Sequence, residues 1–201
     1  MAEIRKVGIP SPRVEGEEKV GGKALYAVDV VLPNLLWVKV LRSPIAHGKI
    51  KRIDINEAQR LAGVKTVLTG QDIAGVRIGK KIVDIPLLAD GVVRYIGEKV
   101  AAVAAETEEA AERAVDLIDV EYEELPVVAD PLEAIQASAP LLHPDVATYK
   151  GLLHKIEVPS NVFVHLTWKK GDVEEGFRQS DVVVENTFQV PAVHQAYIEP
   201  H

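Results

Sequence analysis

The run from Glu98 to Pro126 constrains the fold of this chain more than any other stretch. It reads EKVAAVAAETEEAAERAVDLIDVEYEELP. Small and β-branched residues over 99–105 predict a buried strand, and Thr107, followed by two glutamates, predicts the capped start of a helix. An acidic, strand-like stretch then closes a β-α-β unit, which predicts a fold of the α/β or α+β class. The helix gains one apolar stripe from residues at i, i+3, i+4 and i+7, namely Ala111, Ala114, Val115 and Ile118.

Shorter signals predict the elements around this unit. Leu35 to Ser43 has a period-2 pattern with Leu36, Val38 and Val40 on one side, which predicts a strand. Further strands are predicted over 49–55, 64–70 and 182–190, and residues 71–91 are broken into short pieces by glycine and proline. A short helix is expected from an N-cap at Asn56 to a stop at Gly63, and a second one within 171–181.

Composition narrows the class of protein. The chain has 201 residues, enough for one large domain or for one domain and the start of another. A net charge of −7 argues against a nucleic-acid binder, and the absence of cysteine excludes disulfides and thiolate chemistry. With no run long enough to span a membrane and no apolar core of a signal peptide near residue 1, the expected location is the cytoplasm.

Changes in composition along the chain predict four segments. A polar arm covers residues 1–18, and the strand-and-helix region covers 19–126. Prolines are dense over 127–170, which predicts an extended connecting segment that packs along a surface. Residues 171–201 contain a helix and a strand that look like the start of another domain.

Two loops invite catalytic or nucleotide-binding interpretations. GEEKVGGKA (Gly16 to Ala24) departs from the P-loop spacing and has no hydroxyl after its lysine, so a glycine-dependent turn is the better interpretation. RSPIAHG (Arg42 to Gly48) brings Ser43 and His47 into one loop. The loop has no nucleophile elbow and no acidic partner for the histidine, and a turn shaped by Ser-Pro and His-Gly is favoured over a catalytic pair.

Titratable residues elsewhere do not form a recognisable constellation. Glu98, which follows Arg94, Tyr95 and Gly97, could be a functional acid, but a solvated loop residue is favoured. A basic cluster is interpreted as a solvated loop, with contact to a partner domain as the alternative; its members are Arg77, Lys80 and Lys81. Three histidines lack ligand spacing and are expected to be hydrogen-bonded or exposed: His143, His154 and His165.

The final eight residues, HQAYIEPH, carry the densest set of polar groups. His194, Glu199 and His201 are spaced as H-x4-E-x-H, which is not a known metal spacing. On a strand, Glu199 and His201 would share one face while His194 lies on the other. The segment could serve a small hydrolase or metal enzyme, but the sequence assigns no catalytic, cofactor-binding or metal-binding residue in this chain.

Ordered motifs along residues 19–201 resemble the molybdenum hydroxylase large subunit. They are the K-x-x-G-x-A-x-Y run at Lys19 to Tyr26, Leu32-Pro33, LRSPIAHGKI, LTGQDI, VRYIGEKVAAVAAETEEAAERAVDLIDVEYEELPVVADPLEAI and GDVEEGFRQSDVVVENTFQVPAVHQAYIEPH. That family includes xanthine dehydrogenase, aldehyde oxidase, aerobic carbon monoxide dehydrogenase and 4-hydroxybenzoyl-CoA reductase.

The resemblance implies an α+β fold of the α/β-hammerhead type over 19–126 and an incomplete molybdenum-binding domain over 171–201. The closing residues Ile198, Glu199 and Pro200 match the family's Leu-Glu-Pro-type motif. Purine-oxidising members carry a glutamine near this motif; Val193 occupies that position here, and Gln195 lies two residues away, so the role is not transferred. The family's phosphate-contacting glycines and catalytic glutamate lie downstream of residue 201.

By resemblance, the complete enzyme would be a molybdopterin-dependent oxidoreductase acting on an aldehyde, an N-heterocycle, carbon monoxide or an aromatic acyl-CoA. Its cofactor would be molybdenum–molybdopterin, as the cytosine dinucleotide, and its partners the rest of the large subunit and the FAD and iron–sulfur subunits. The chain alone is expected to be an inactive split-gene product or truncated portion. The alternative is a free-standing hammerhead module that binds proteins without catalysis.

Overall fold

The computed structural model describes residues 8, 10–194 and 196. The chain divides into two units: one comprises residues 34–173, and the other comprises the described parts of 1–33 and 174–201. Within the described residues, no helix combines the length and the apolar character needed to cross a membrane.

Strands and helices are numbered in chain order. The strands are β1 (Trp37–Arg42), β2 (Gly48–Asp54), β3 (Val64–Thr69), β4 (Arg77–Ile78), β5 (Ile85–Pro86), β6 (Val92–Val93), β7 (Lys99–Ala105) and β8 (Asp119–Glu124). The α-helices are α1 (Gly16–Val20), α2 (Asn56–Arg60), α3 (Glu108–Asp116), α4 (Pro131–Ala134) and α5 (Val173–Arg178). Two short 3-10 helices cover Ala27–Asp29 and Val146–Thr148.

The strands of the 34–173 unit form two three-stranded sheets and one small hairpin. The first sheet has the order β1-β7-β3, the second has the order β6-β2-β8, and β4 pairs with β5. The described ladders are antiparallel. This arrangement agrees with the α+β prediction, and the strands predicted near 35–43, 49–55 and 64–70 are present as β1, β2 and β3.

The predicted β-α-β unit has its three elements in place, but its two strands belong to different sheets. Strand β7 is the centre of the first sheet, with β1 on one edge and β3 on the other. Because both edges are occupied, β8 has no position beside β7, and it pairs instead with β2. Helix α3 therefore connects two sheets rather than two strands of one sheet.

The core consists of two adjoining clusters. The larger contains residues of β3, β7, α2 and α3 and the residue after Leu117: Ala58, Val67, Ala101, Val103, Ala114 and Ile118. The smaller contains Ala89, Val93 and Val100. Leu41, Ile53 and Val120 pack against both clusters and join them. The predicted stripe of α3 is thus confirmed as the side of the helix that faces the core.

The residues of strand β1 that face the core are not those of its apolar period-2 pattern, Leu36, Val38 and Val40. Leu41 packs against both clusters, whereas Val38 is 60% exposed. On the same side as Leu41, the Lys39 ammonium forms ion pairs with Glu108 at 2.6 Å and Glu112 at 2.8 Å on α3. These ion pairs let a lysine occupy the side of the strand that the helix covers.

Helix α2 is present where a helix was predicted, but the Asn56 N-cap prediction is wrong. Asn56 lies within the helix, and Ile55 is the residue that precedes it. Asp54 provides the polar contact at this end, because its Oδ1 accepts hydrogen bonds from the backbone N–H and the side-chain amide of Asn56. The prediction of Gly63 as the helix stop is also wrong, because the helix ends at Arg60 and is capped by Leu61, two residues earlier. Gly63 has a φ of +89°, a conformation that favours glycine, in the turn that leads to β3.

The second unit contains little regular structure among its described residues. Helix α5 confirms the helix predicted within 171–181. Residues 182–190, predicted as a strand, are not in a strand, and their large apolar side chains are mostly exposed. A strand needs a partner to bond its backbone groups, and none is paired with this stretch in the described part of the chain.

Thr107 provides a direct test of the helix start. Its side-chain oxygen accepts a hydrogen bond from the Ala110 N–H at 3.2 Å. We expect Thr107→Ala to lower the free energy of unfolding by about 1 kcal/mol, because one N–H of the first turn loses its partner. Thr107→Ser keeps the hydroxyl and should restore most of the loss in urea denaturation. Equal destabilisation by both substitutions would contradict a capping role.

Candidate functional site

Arg77 lies at the centre of a half-buried ionic cluster in the 34–173 unit. Its guanidinium donates to the Asp84 carbonyl at 3.0 Å and to Asp90 Oδ2 at 3.0 Å. Asp145 Oδ2 lies 3.7 Å away, and the Tyr149 ring centroid lies 5.1 Å from the guanidinium carbon. The Arg77 side chain is 16% exposed, so its contacts are shielded from water.

Tyr149 and His143 extend this cluster through one directed chain of hydrogen bonds. The Tyr149 hydroxyl donates to Asp145 Oδ1 at 2.8 Å, which uses its only hydrogen. The contact of 2.9 Å between His143 Nδ1 and the phenol oxygen must therefore have the ring nitrogen as donor. Burial and the bond to Asp145 raise the pKa of Tyr149 to about 12. Burial and the nearby Arg94 lower the pKa of His143.

Glu98 and Arg94 form the deeper part of the cluster. Glu98 is 4% exposed, and its carboxylate accepts a hydrogen bond from the Arg94 backbone N–H. The Arg94 guanidinium lies 3.8 Å from Glu98 Oε1 and donates to the carbonyls of Leu142 and Val92. Burial raises the pKa of Glu98, while the bond from the Arg94 backbone acts in the opposite direction. We name Arg77, Asp90, Arg94, Glu98, His143, Asp145 and Tyr149 the ionic cluster.

The ionic cluster joins the proline-rich segment to the sheets. Arg77, Asp90, Arg94 and Glu98 come from the strand region, and the other three members come from residues 143–149. A close backbone contact lies next to it: Val83 N–H donates to the Lys150 carbonyl, and a Cβ on Gly151 would lie 1.9 Å from the Lys81 oxygen. The segment therefore follows the surface through buried polar contacts rather than through apolar packing alone.

Two interpretations from the sequence are wrong at this cluster. Glu98 is not a solvated loop residue but a buried, hydrogen-bonded acid. Arg77 is not a solvated cation but the most connected residue of the cluster, whereas Lys80 and Lys81 are exposed as expected. Sequence reasoning missed three members, Asp90, Asp145 and Tyr149, because each of them meets Arg77 from a distant position along the chain.

The loop with Ser43 and His47 is a structural turn. Ser43 Oγ donates to the Ile45 carbonyl and accepts from the Ile45 N–H, so its polar atoms are used within the loop. His47 Nδ1 lies 2.7 Å from the Pro126 carbonyl, and since a carbonyl only accepts, the ring nitrogen is the donor. Each side chain has its own partner, which agrees with the predicted turn.

The remaining candidates are exposed. Gly16–Val20 form helix α1, followed by Gly22 with a φ of +65°, which agrees with a glycine-dependent turn. His154 and His165 are exposed and line a cavity of about 510 Å³ together with Lys81, Ile156 and Phe163. Most of its walls are apolar residues of 152–166.

No group of three or more His, Asp or Glu side chains that could hold a metal ion is present among residues 8, 10–194 and 196. His194 lies within this range, but Glu199 and His201 lie outside the described residues, as do Gln195 and the Ile198-Glu199-Pro200 motif. The structure therefore does not test the interpretation of the H-x4-E-x-H spacing.

Two family models match consecutive parts of the chain. The model described as aldehyde oxidase and xanthine dehydrogenase, a/b hammerhead domain, matches residues 21–126. The model described as molybdopterin cofactor-binding domain matches residues 153–201.

Curated relatives match almost the whole chain but are much longer than it. A protein of Bacillus subtilis (strain 168), named as a probable xanthine dehydrogenase, is 40% identical over 93% of this chain and 23% of its own length. The carbon monoxide dehydrogenase large chain of Hydrogenophaga pseudoflava is 33% identical over 98% of this chain and 26% of its own length. The chain thus spans about a quarter of these relatives.

The solved structures that resemble this chain are also much longer than it. A Cu,Mo-CO dehydrogenase has a TM-score of 0.73 and 34% identity, over 87% of this chain and 23% of that chain. Quinoline 2-oxidoreductase from Pseudomonas putida 86 has a TM-score of 0.57 and 41% identity, over 63% of this chain and 17% of that chain.

Glu98 gives this region a pH-dependent signature. Its pKa in the folded chain lies above the ordinary 4.5, so between these two values the folded state binds more protons than the unfolded state. The stability of the native chain relative to Glu98→Gln should therefore fall as the pH rises above about 4.5, and level off once Glu98 is ionised.

Urea denaturation of both proteins across this pH range measures the difference. Glu109→Gln, which removes an exposed carboxylate from α3, is the matched control for loss of one negative charge. A difference between wild type and Glu98→Gln that rises with pH would contradict burial as the dominant effect on Glu98.

Proposed function

The chain belongs to the aldehyde oxidase and xanthine dehydrogenase family of molybdenum hydroxylases, and from this premise we propose that it forms the non-catalytic hammerhead portion of a large subunit. The predicted hammerhead-type fold is confirmed by the family model over residues 21–126 and by the CO dehydrogenase structure. We assign 1–18 to an arm, 19–126 to the hammerhead domain, 127–170 to the connecting segment and 171–201 to the start of the molybdenum-binding domain.

The observation that carries this proposal is the order and extent of the matches. A hammerhead match is followed by a cofactor-binding match, and relatives at 33 to 40% identity align with 93 to 98% of the chain. These relatives are oxidoreductases of the dehydrogenase type, which does not favour a free-standing interaction module.

The complete enzyme, by this proposal, hydroxylates or dehydrogenates an aldehyde, an N-heterocycle, carbon monoxide or an aromatic acyl-CoA. The relatives include a xanthine dehydrogenase, a nicotinate dehydrogenase and carbon monoxide dehydrogenases by name, so they support the reaction class rather than one substrate. We further propose molybdopterin cytosine dinucleotide as the cofactor form, separate FAD and iron–sulfur subunits as electron acceptors, and a cytoplasmic location.

The buried polar side chains of the described residues are engaged within the chain. The one acid buried among them, Glu98, accepts a hydrogen bond from the Arg94 backbone N–H. The buried histidine and serine of the 42–48 loop are likewise engaged with backbone groups. We therefore derive no catalytic step from this chain, and we assign it a supporting role beside the catalytic region.

The molybdenum content of the purified chain tests the proposal. The 201-residue chain, produced in a host that makes molybdopterin, should contain only substoichiometric molybdenum by elemental analysis, because it spans only about a quarter of the length of its relatives. The matched control is a large subunit in which this chain is joined to the cofactor-binding region, made in the same host. Tightly bound molybdenum together with oxidoreductase activity in the chain alone would overturn the proposal.

A further inference from the structure

One face of the first sheet is uncharged and partly exposed to water. The register pairs Val38 with Ala104 and Val40 with Ala102 across β1 and β7. Strand β3 places Thr66 and Leu68 beside the same two alanines. Since paired residues of an antiparallel ladder point to the same side of a sheet, six side chains share one face. We name this the outer face; its residues are Val38, Val40, Thr66, Leu68, Ala102 and Ala104.

The helices of the unit cover only the opposite face. Val67, Ala101 and Val103 alternate with the outer-face residues and belong to the core cluster that α2 and α3 complete. On the outer face, by contrast, Val38 is 60% exposed and Leu68 is 38% exposed. The two edge strands therefore present apolar side chains to water on this side of the sheet.

The second sheet shows how this chain treats a strand surface that faces water. Its exposed side chains include Lys49 and Lys51, whose ammonium groups lie 3.4 and 3.1 Å from the Glu123 carboxylate. Arg52 pairs with Asp119 on the neighbouring strand. The outer face of the first sheet has no charged residue at any of its six positions. A contiguous uncharged sheet face of this kind is typical of a buried interface.

We propose that the outer face docks against an apolar surface of the molybdopterin cofactor-binding remainder of the large subunit, an inference that rests on the proposed function. In the CO dehydrogenase structure the matching region is 23% of one longer chain, so such a remainder is about three times larger than the matched part. A permanent neighbour fits this face better than a dissociable subunit, because permanent interfaces are the more hydrophobic class.

The shape of the outer face is consistent with this occupant. Ala102 and Ala104 lie on the central strand, and larger side chains flank them: Val38 and Val40 on β1, and Leu68 on β3. The small central residues permit close approach, and the flanking branched residues supply most of the apolar area. No charge on the face specifies an acidic or basic partner, so an uncharged apolar element is required.

Single-cysteine labelling tests the inference, because the chain has no cysteine of its own. Val38→Cys and Leu68→Cys place a thiol on the outer face. Leu132→Cys places one on α4, where the side chain is 71% exposed, and serves as the control. Maleimide labelling of each position is followed by peptide mass spectrometry, in the 201-residue chain and in the molybdenum-containing large subunit that includes it.

We expect positions 38 and 68 to react at least about tenfold more slowly in the large subunit than in the chain alone, while position 132 stays reactive in both. Equal reactivity of position 38 in an active, molybdenum-containing large subunit would overturn the docking inference and leave the proposed function intact. Concentration-dependent protection in the chain alone, which indicates a second copy, would also overturn it. So would protection that appears only after FAD or iron–sulfur subunits are added.

A charge on the outer face gives an independent readout. Val38→Glu should leave the thermal midpoint of the chain alone unchanged, because the side chain is largely in water there. In the large subunit it should reduce the yield of assembled protein, since a carboxylate would be buried without a partner. Leu132→Glu makes the same change on α4 and should not affect assembly. Normal assembly of Val38→Glu would contradict the inference.

Discussion

The burial of strand β7 is the constraint on which the 34–173 unit depends. Both of its edges are paired, with β1 and with β3, and four of its residues, Val100, Ala101, Val103 and Ala105, are fully buried. The side chains of a strand in this position must be small and apolar, because helices and neighbouring strands approach the strand closely. From Ala101 to Ala105 its alternation also separates the covered side of the first sheet from the outer face. The course of α3 and the pairing of β8 with β2 follow, since β7 has no free edge.

The ionic cluster supplies a second constraint of a different kind. A proline-rich segment has few periodic apolar residues with which to pack, so contact by hydrophobic burial alone would be weak. Arg77 and Arg94 instead engage carboxylates and backbone carbonyls from both the strands and residues 142–145. Such half-buried, directional contacts fix one path for the segment. They also explain why Glu98 stays buried despite the cost of its charge.

The sequence was most informative where local pattern and tertiary structure agree. The strand at 99–105, the cap at Thr107 and the stripe through Ala111 and Ala114 follow from residue types at short spacing. The sheet that each strand joins was not predictable, because it depends on which edges are free. The interpretation of Glu98 and Arg77 failed for a related reason: several of their partners are distant in sequence, and no local pattern distinguishes a buried ion from a solvated one. Residues 182–190 have a clear strand pattern but lack a partner among the described residues.

The buried polar groups described in this chain have hydrogen-bond partners within it, whereas many of its large apolar side chains are exposed to water. Among the described residues, no buried side-chain nitrogen or oxygen lacks a hydrogen-bond partner, and buried groups such as Ser43, His47 and Glu98 are bonded within the chain. Apolar groups are different: the outer face and residues 182–190 expose large side chains to water. The apolar area that these two stretches expose is the kind of surface that a structural neighbour buries. This exposure of apolar area agrees with the proposed supporting role.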